Sequence, residues 1–140
     1  MLKNNNTEII NRLQKEYQNK ILFCEDRDFG FKPDFMNYLY YNKTYNRKKF
    51  LIYISHEIGH YQDYVDYFNS DQDLWSKTVK IKKFNFRRVL AEIRAWNNAK
   101  SIVKQIGSDF NSWILFYYLY FVRICGYLIG IITLNENNQI

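Results

Sequence analysis

The chain has 140 residues, 47% of them apolar and 19% aromatic, and a formal net charge of +6. That length fits one domain, 1–140, and the apolar content is ample for a core, which excludes global disorder. The positive balance would suit an acidic partner. Its densest runs, Arg47-Lys48-Lys49 and Lys80-Ile81-Lys82-Lys83, are too short to mark a nucleic-acid interface, so none is expected.

The opening Met1-Leu2-Lys3-Asn4-Asn5-Asn6 is polar and lacks the apolar stretch of a secretory signal. Cys24 and Cys125 are far apart and have no C-x-x-C spacing, so they read as reduced thiols. A cytoplasmic location is expected from both features.

A first helix is predicted from Thr7 to about Lys20, with Asn6 or Thr7 as cap and Ile9, Ile10, Leu13 and Tyr17 as its apolar stripe. Ile21-Leu22-Phe23-Cys24 reads as a short strand. Asp28 to Pro33, with Gly30 and the sole proline, reads as a turn. Phe35 to Tyr41 alternates enough to be a second strand. A helix from about Tyr45 to Phe68 follows; Phe50 to Ile54 make its first turns apolar on nearly every side, so it should be central and buried. Asn69 to Lys83 reads as a surface loop. A further helix spans about Phe86 to Ile106 and stops at Gly107.

Ser108 or Asp109 should cap a last helix that begins near Phe110. Trp113 to Leu134 is long and apolar enough to span a membrane. Arg123 near its middle and four tyrosines weigh against that, because a central arginine costs roughly 2.5–3.5 kcal/mol on insertion scales. A buried terminal helix followed by a strand or a second short helix is expected instead, and a membrane-anchored form stays open as the rival.

Both histidines of the chain fall in His56-Glu57-Ile58-Gly59-His60. This is H-E-x-x-H, which stacks two imidazoles on one helix face with a carboxylate beside them. Two histidines and a glutamate fall into this pattern by chance on the order of once in a thousand chains or less. Neutral imidazoles at His56 and His60 would bind Zn²⁺, and at least one more protein ligand must be found. Glu57 could take a proton from a water that the metal acidifies and later pass it to a leaving group.

With no third histidine, that ligand must be Asp, Glu or Cys. Asp66 occupies the slot of the longer H-E-x-x-H-x-x-G-x-x-H/D pattern, but position 63 is Asp rather than the turning glycine, and on a continuous helix Asp66 points away. Asp63 shares the histidine face. At 1.5 Å per residue it lies about 7.5 Å along the axis from the metal level, which suits a support for His60 or a solvated aspartate. Glu92 is better placed, because its helical neighbours Val89, Trp96, Ala99 and Val103 are apolar and an unpaired inward carboxylate would be costly. Ala91, Ala95 and Ala99 would let its helix approach another closely, and Gly59 would do the same from the opposite side. Nothing brings Cys24 or Cys125 to the site.

H-E-I-G-H on a buried helix, followed about thirty residues on by A-E-I-R-A-W, resembles small zincin-fold metallopeptidases of the gluzincin type, akin to the ImmA/IrrE group. The resemblance covers about 36–106. It implies a compact α+β, mostly helical domain with a small N-terminal β-sheet beside a buried active-site helix. It also implies Zn²⁺ held by His56, His60 and Glu92, with Glu57 as general acid/base, a protein or peptide substrate, and a strand at Phe35 to Tyr41 to which an extended substrate adds. Such enzymes often stabilise the transition state with His or Tyr; Tyr61 and Tyr64 are offered for that role. Trp96 stands where larger relatives carry a carboxylate. The expected function is a zinc-dependent peptidase, and the alternative is a non-catalytic, zinc-stabilised module that binds protein or nucleic acid.

Overall fold

A computed structural model describes residues 6–79 and 85–137, with the side chains of 132–137 excepted. The basic run Lys80–Lys83 and the first five residues lie outside the described residues. The architecture is α+β and mostly helical. α1 (Asn6–Glu16) leads into β1 (Leu22–Glu25), β2 (Gly30–Pro33) and β3 (Asn37–Tyr41), and the chain then continues through four helices. These are α2 (Arg47–Asp66), α3 (Gln72–Val79), α4 (Phe86–Ile106) and α5 (Phe110–Asn137).

Ile9, Ile10 and Leu13 bury the inner stripe of α1, as its periodicity requires. The Asn6 side chain does not cap this helix. Its amide donates to the carbonyls of Lys43 and Tyr45, at 3.0 and 2.7 Å, and ties the N-terminus to the start of α2.

The sheet order is β1-β3-β2, with β1 parallel and β2 antiparallel to β3. Two expectations change here. Gly30 to Pro33 is a strand, not a turn: Gly30 takes no positive φ, and Pro33, which has no N–H to donate, sits on an edge strand where none is needed. The chain reverses instead at Asp34–Met36, leaving Phe35 exposed. β3 is therefore central and both its edges are paired, so an added substrate strand has no place on it; the outer edges belong to β1 and β2.

α2 starts at Asn46, whose side chain accepts from the Lys49 amide at 3.0 Å. Phe50, Ile52, Ile54 and Ile58 on it are fully buried, as its apolar turns demand. It packs principally on α4, whose Ala91, Ala95 and Ala99 are also fully buried. A Cβ on Gly59 would overlap the carbonyl of Ala95, so glycine here sets how close the two helices come.

The expected loop 69–83 contains α3. Asp71 caps it, accepting from the Leu74 amide at 2.9 Å, and Trp75 anchors it between Tyr64, Phe68 and Phe31. One large indole, rather than a periodic stripe, holds this short helix, which is why polar punctuation hid it.

α5 departs most from expectation. It is one continuous helix, capped by Asp109, which accepts from the Ser112 amide at 2.7 Å. It is not buried. Among its described side chains, only Ser112, Phe116 and Tyr127 are enclosed, while Ile114, Tyr118, Phe121 and Ile129 face outward. Phe110–Ile131 is long and apolar enough to cross a membrane by length and composition. Its other side runs along α2 and α4, where Phe116 and Tyr120 meet Trp96.

Gly59→Ala gains up to about 1 kcal/mol of helix propensity but must part α2 from α4, an overpacking cost of about 1–3 kcal/mol or more. The expected outcome is a net loss in the urea unfolding midpoint. Trp75→Ala should cost more, about 3–5 kcal/mol.

Candidate metal centre

His56 and His60 lie one turn apart on α2, with their rings edge to face and centroids 4.5 Å apart. Glu92 rises to meet them from α4. Its Oε2 lies 3.0 Å from His56 Nε2 and its Oε1 3.5 Å from His60 Nε2. All three residues are buried, at most 6% exposed. Residues 36 positions apart meet because Gly59, between the two histidines, admits the α4 backbone at Ala95, one turn beyond Glu92.

Two carboxylates adjoin the imidazoles, and they do different things. Glu57 Oε1 lies 3.2 Å from His56 Nδ1, on the far side of that ring from Glu92. The grouping His56, Glu57 and His60 does bring ligand atoms within 4.8 Å of one another. Both Nε2 atoms nevertheless face Glu92, so a point shared by three donors lies between His56, His60 and Glu92. Glu57 and His56 line an open cleft.

The donor set fits a zinc ion. Two imidazole nitrogens and a carboxylate are its ordinary ligands, and tetrahedral donors at about 2.0–2.1 Å from the metal stand about 3.3 Å from each other. The observed separations of 3.0 and 3.5 Å bracket that spacing. A contact from Glu57 to Nδ1 also fixes the tautomer that leaves the His56 Nε2 lone pair facing Glu92.

The electrostatics of these groups are mutual. Burial would lower the His56 pKa, but hydrogen bonds and charge from Glu57 and Glu92 outweigh it and push the imidazole from 6.5 up to about 9. Burial would raise both carboxyls. The charge of His60 and the hydrogen bonds of His56 and His60 instead hold Glu92 far below the usual range, and His56 holds Glu57 below it too.

Several side chains that sequence reasoning did not place complete the site. The Tyr127 hydroxyl, from α5, donates to Glu92 Oε1 at 3.0 Å; burial and the Glu92 charge raise its pKa, keeping it a donor. Trp96 lies against the His56 ring, centroids 4.4 Å apart, and Trp75 packs edge-on to His60 at 5.7 Å. Trp96 thus braces the His56 ring by contact. The signal for Tyr127 was its spacing four residues after Arg123, the one charge in an apolar run, which puts both on one helix face.

The other residues named from the sequence have partners of their own. Asp63 is not solvated: it is buried, feels the charge of His60, and is paired with Arg94, whose guanidinium also stacks on Tyr67 at 3.6 Å. Burial pushes the Asp63 carboxyl up, and Arg94 pulls it back. Tyr61 packs on Tyr17 and Phe31, and the Tyr64 hydroxyl donates to the Ser70 carbonyl at 2.8 Å. Neither lines the cleft. Asp66 is exposed, and Cys24 and Cys125 are free thiols away from the cleft lining.

No protein-family model, curated protein or solved structure matches the chain. The family resemblance stands on its motifs alone.

A raised histidine pKa stabilises the fold fully below about 6.5, and that stabilisation is lost as pH rises through about 9. Lowered carboxyl pKa values act on the other limb, stabilising above the usual Glu range and losing that effect as pH falls below it. Chelator-treated protein should therefore lose stability, by at most on the order of 3 kcal/mol, between pH 6.5 and 9. Added Zn²⁺ should reduce the loss, because bound imidazoles must be neutral. A melting temperature flat across that range in chelator would contradict the arrangement.

Proposed function

We propose that the chain is a zinc-dependent peptidase of the zincin type, with His56, His60 and Glu92 as metal ligands and Glu57 as general acid/base. The observation that carries this reading is the open side of the donor set. Structural zinc sites are closed by four protein ligands, whereas catalytic sites keep a position free. Here three donors converge, and beside them opens a cleft of about 810 Å³ whose wall includes His56 and Glu57. A non-catalytic module would need no cleft bordered by an ionised carboxylate.

Zinc at this position would supply Lewis acidity toward a carbonyl and toward water. The remaining work falls to the protein's own groups. Glu57 is held ionised by His56, so its carboxylate is ready to accept a proton from the attacking water and return it to the leaving amine. Tyr127 fixes one oxygen of Glu92, and Trp96 fixes the plane of His56. Phe29, Tyr45 and Tyr53 wall the opposite part of the cleft and offer apolar surface to a peptide.

Glu57→Gln should lower peptide hydrolysis by at least about 10²-fold while leaving the zinc content unchanged. Glu92→Ala should lose the metal itself, read by mass spectrometry of the native protein after dialysis. Hydrolysis that survives Glu57→Gln, or full zinc retention by Glu92→Ala, would sink these assignments.

A further inference from the structure

Arg123 is the only charged residue between Phe110 and Leu134. A charge in so apolar a helix costs solvation unless it meets water or an opposite charge. It is exposed to solvent, and it lines the cleft that holds His56 and Glu57. Arg88, from α4, lines the same cleft. Their guanidinium carbons lie 5.6 and 5.0 Å from the centroid of one ring, that of Tyr127, whose hydroxyl holds Glu92. Two guanidinium groups from different helices thus share one wall, next to the proposed ligands.

Resting on the peptidase reading, we infer that Arg123, with Arg88, anchors a carboxylate of the peptide substrate: an acidic side chain beside the scissile bond or the free C-terminus. Guanidinium forks pair with carboxylates through two parallel N–H···O bonds, and the pairing is strongest in a partly enclosed cleft such as this. The aromatic groups Phe29, Tyr45 and Tyr53 line the cleft without adding a formal charge, so charge selection falls to the arginine wall. Asp28 and Glu57 are the acidic residues lining the same cleft, and they would disfavour an anion seated near them. The carboxylate is therefore directed to the α5 side. Arg123 is a specificity residue in this scheme; it takes no part in proton transfer.

The test uses the zinc-loaded Glu57→Gln chain and isothermal titration calorimetry with short N-acetylated peptides of one neutral sequence. These carry a C-terminal amide, a free C-terminus, an amide with one internal Glu, or an amide with one internal Lys. At low ionic strength, at least one carboxylate-bearing peptide should bind about tenfold or more tighter than the neutral amide, with the Lys peptide weakest. Arg123→Gln should erase that preference, and Arg123→Lys should restore part of it, which a general packing defect would not do. Preference for the free C-terminus identifies recognition of a chain end; preference for Glu identifies an acidic side chain. Equal binding of all four, no binding of any, or a preference that survives Arg123→Gln overturns the anchor. Hydrolysis by the unmodified chain is scored separately: cleavage without charge preference removes the anchor alone, and preference without cleavage removes the peptidase reading alone.

Discussion

The close approach of α2 to α4 at Gly59 and Ala95 is the constraint on which the rest depends. Without a Cβ at position 59, the α4 backbone comes up against α2 between the two histidines. One turn before the contact, Glu92 then reaches both imidazoles. A mid-helix glycine gives up about 1 kcal/mol of helix propensity. What it secures is a buried carboxylate within hydrogen-bond reach of two buried rings. The small side chains of Ala91, Ala95 and Ala99 extend the same permission along α4.

Burying two imidazoles and two carboxylates together would be untenable for each group alone. Here each one's charge is set by its neighbours. Glu92 and Glu57 raise His56; the histidines lower the carboxyls; Tyr127 satisfies the Glu92 oxygen that lies farther from its histidine. The cluster has one excess requirement, a positive charge between Nε2, Nε2 and the carboxylate. A proton on His56 can meet it, and so can a divalent cation. That competition would link the proposed metal binding to pH.

The spacing of His56, Glu57 and His60, and the inward face of Glu92, were legible because helical periodicity translates directly into geometry. The buried course of α2 and the extent of α4 followed from the same rule. What the pattern could not carry was anything held by a single long-range contact. α3 is fastened by Trp75, a residue whose three helical neighbours give no stripe. β2 is a strand because β3 lies beside it, although glycine and proline at its ends read locally as a turn. Asp63 looked like a solvated residue because its partner, Arg94, is 31 positions away on another helix. Tyr127 was hidden for a like reason: its place beside Glu92 depends on how α5 crosses α4.

α5 shows why average hydropathy misled in both directions. A stripe of Phe116, Tyr120, Arg123 and Tyr127, spaced by three and four residues, is the side turned to Trp96 and the cleft. Ile114, Tyr118, Phe121 and Ile129 form another stripe, turned outward. The stripe that faces inward is the more polar of the two, because it carries Arg123, and the outward one is the more apolar, so a burial expectation drawn from the mean of the whole helix was bound to fail. The discriminating residue is the charged one. Arg123 marks the side of the helix that meets solvent within the cleft, and the face that carries it also carries the hydroxyl bound to Glu92. The helix that most resembles a lipid-facing segment by composition is thus, through Leu119, Val122, Arg123, Gly126 and Tyr127, a wall of the cleft beside the proposed active site.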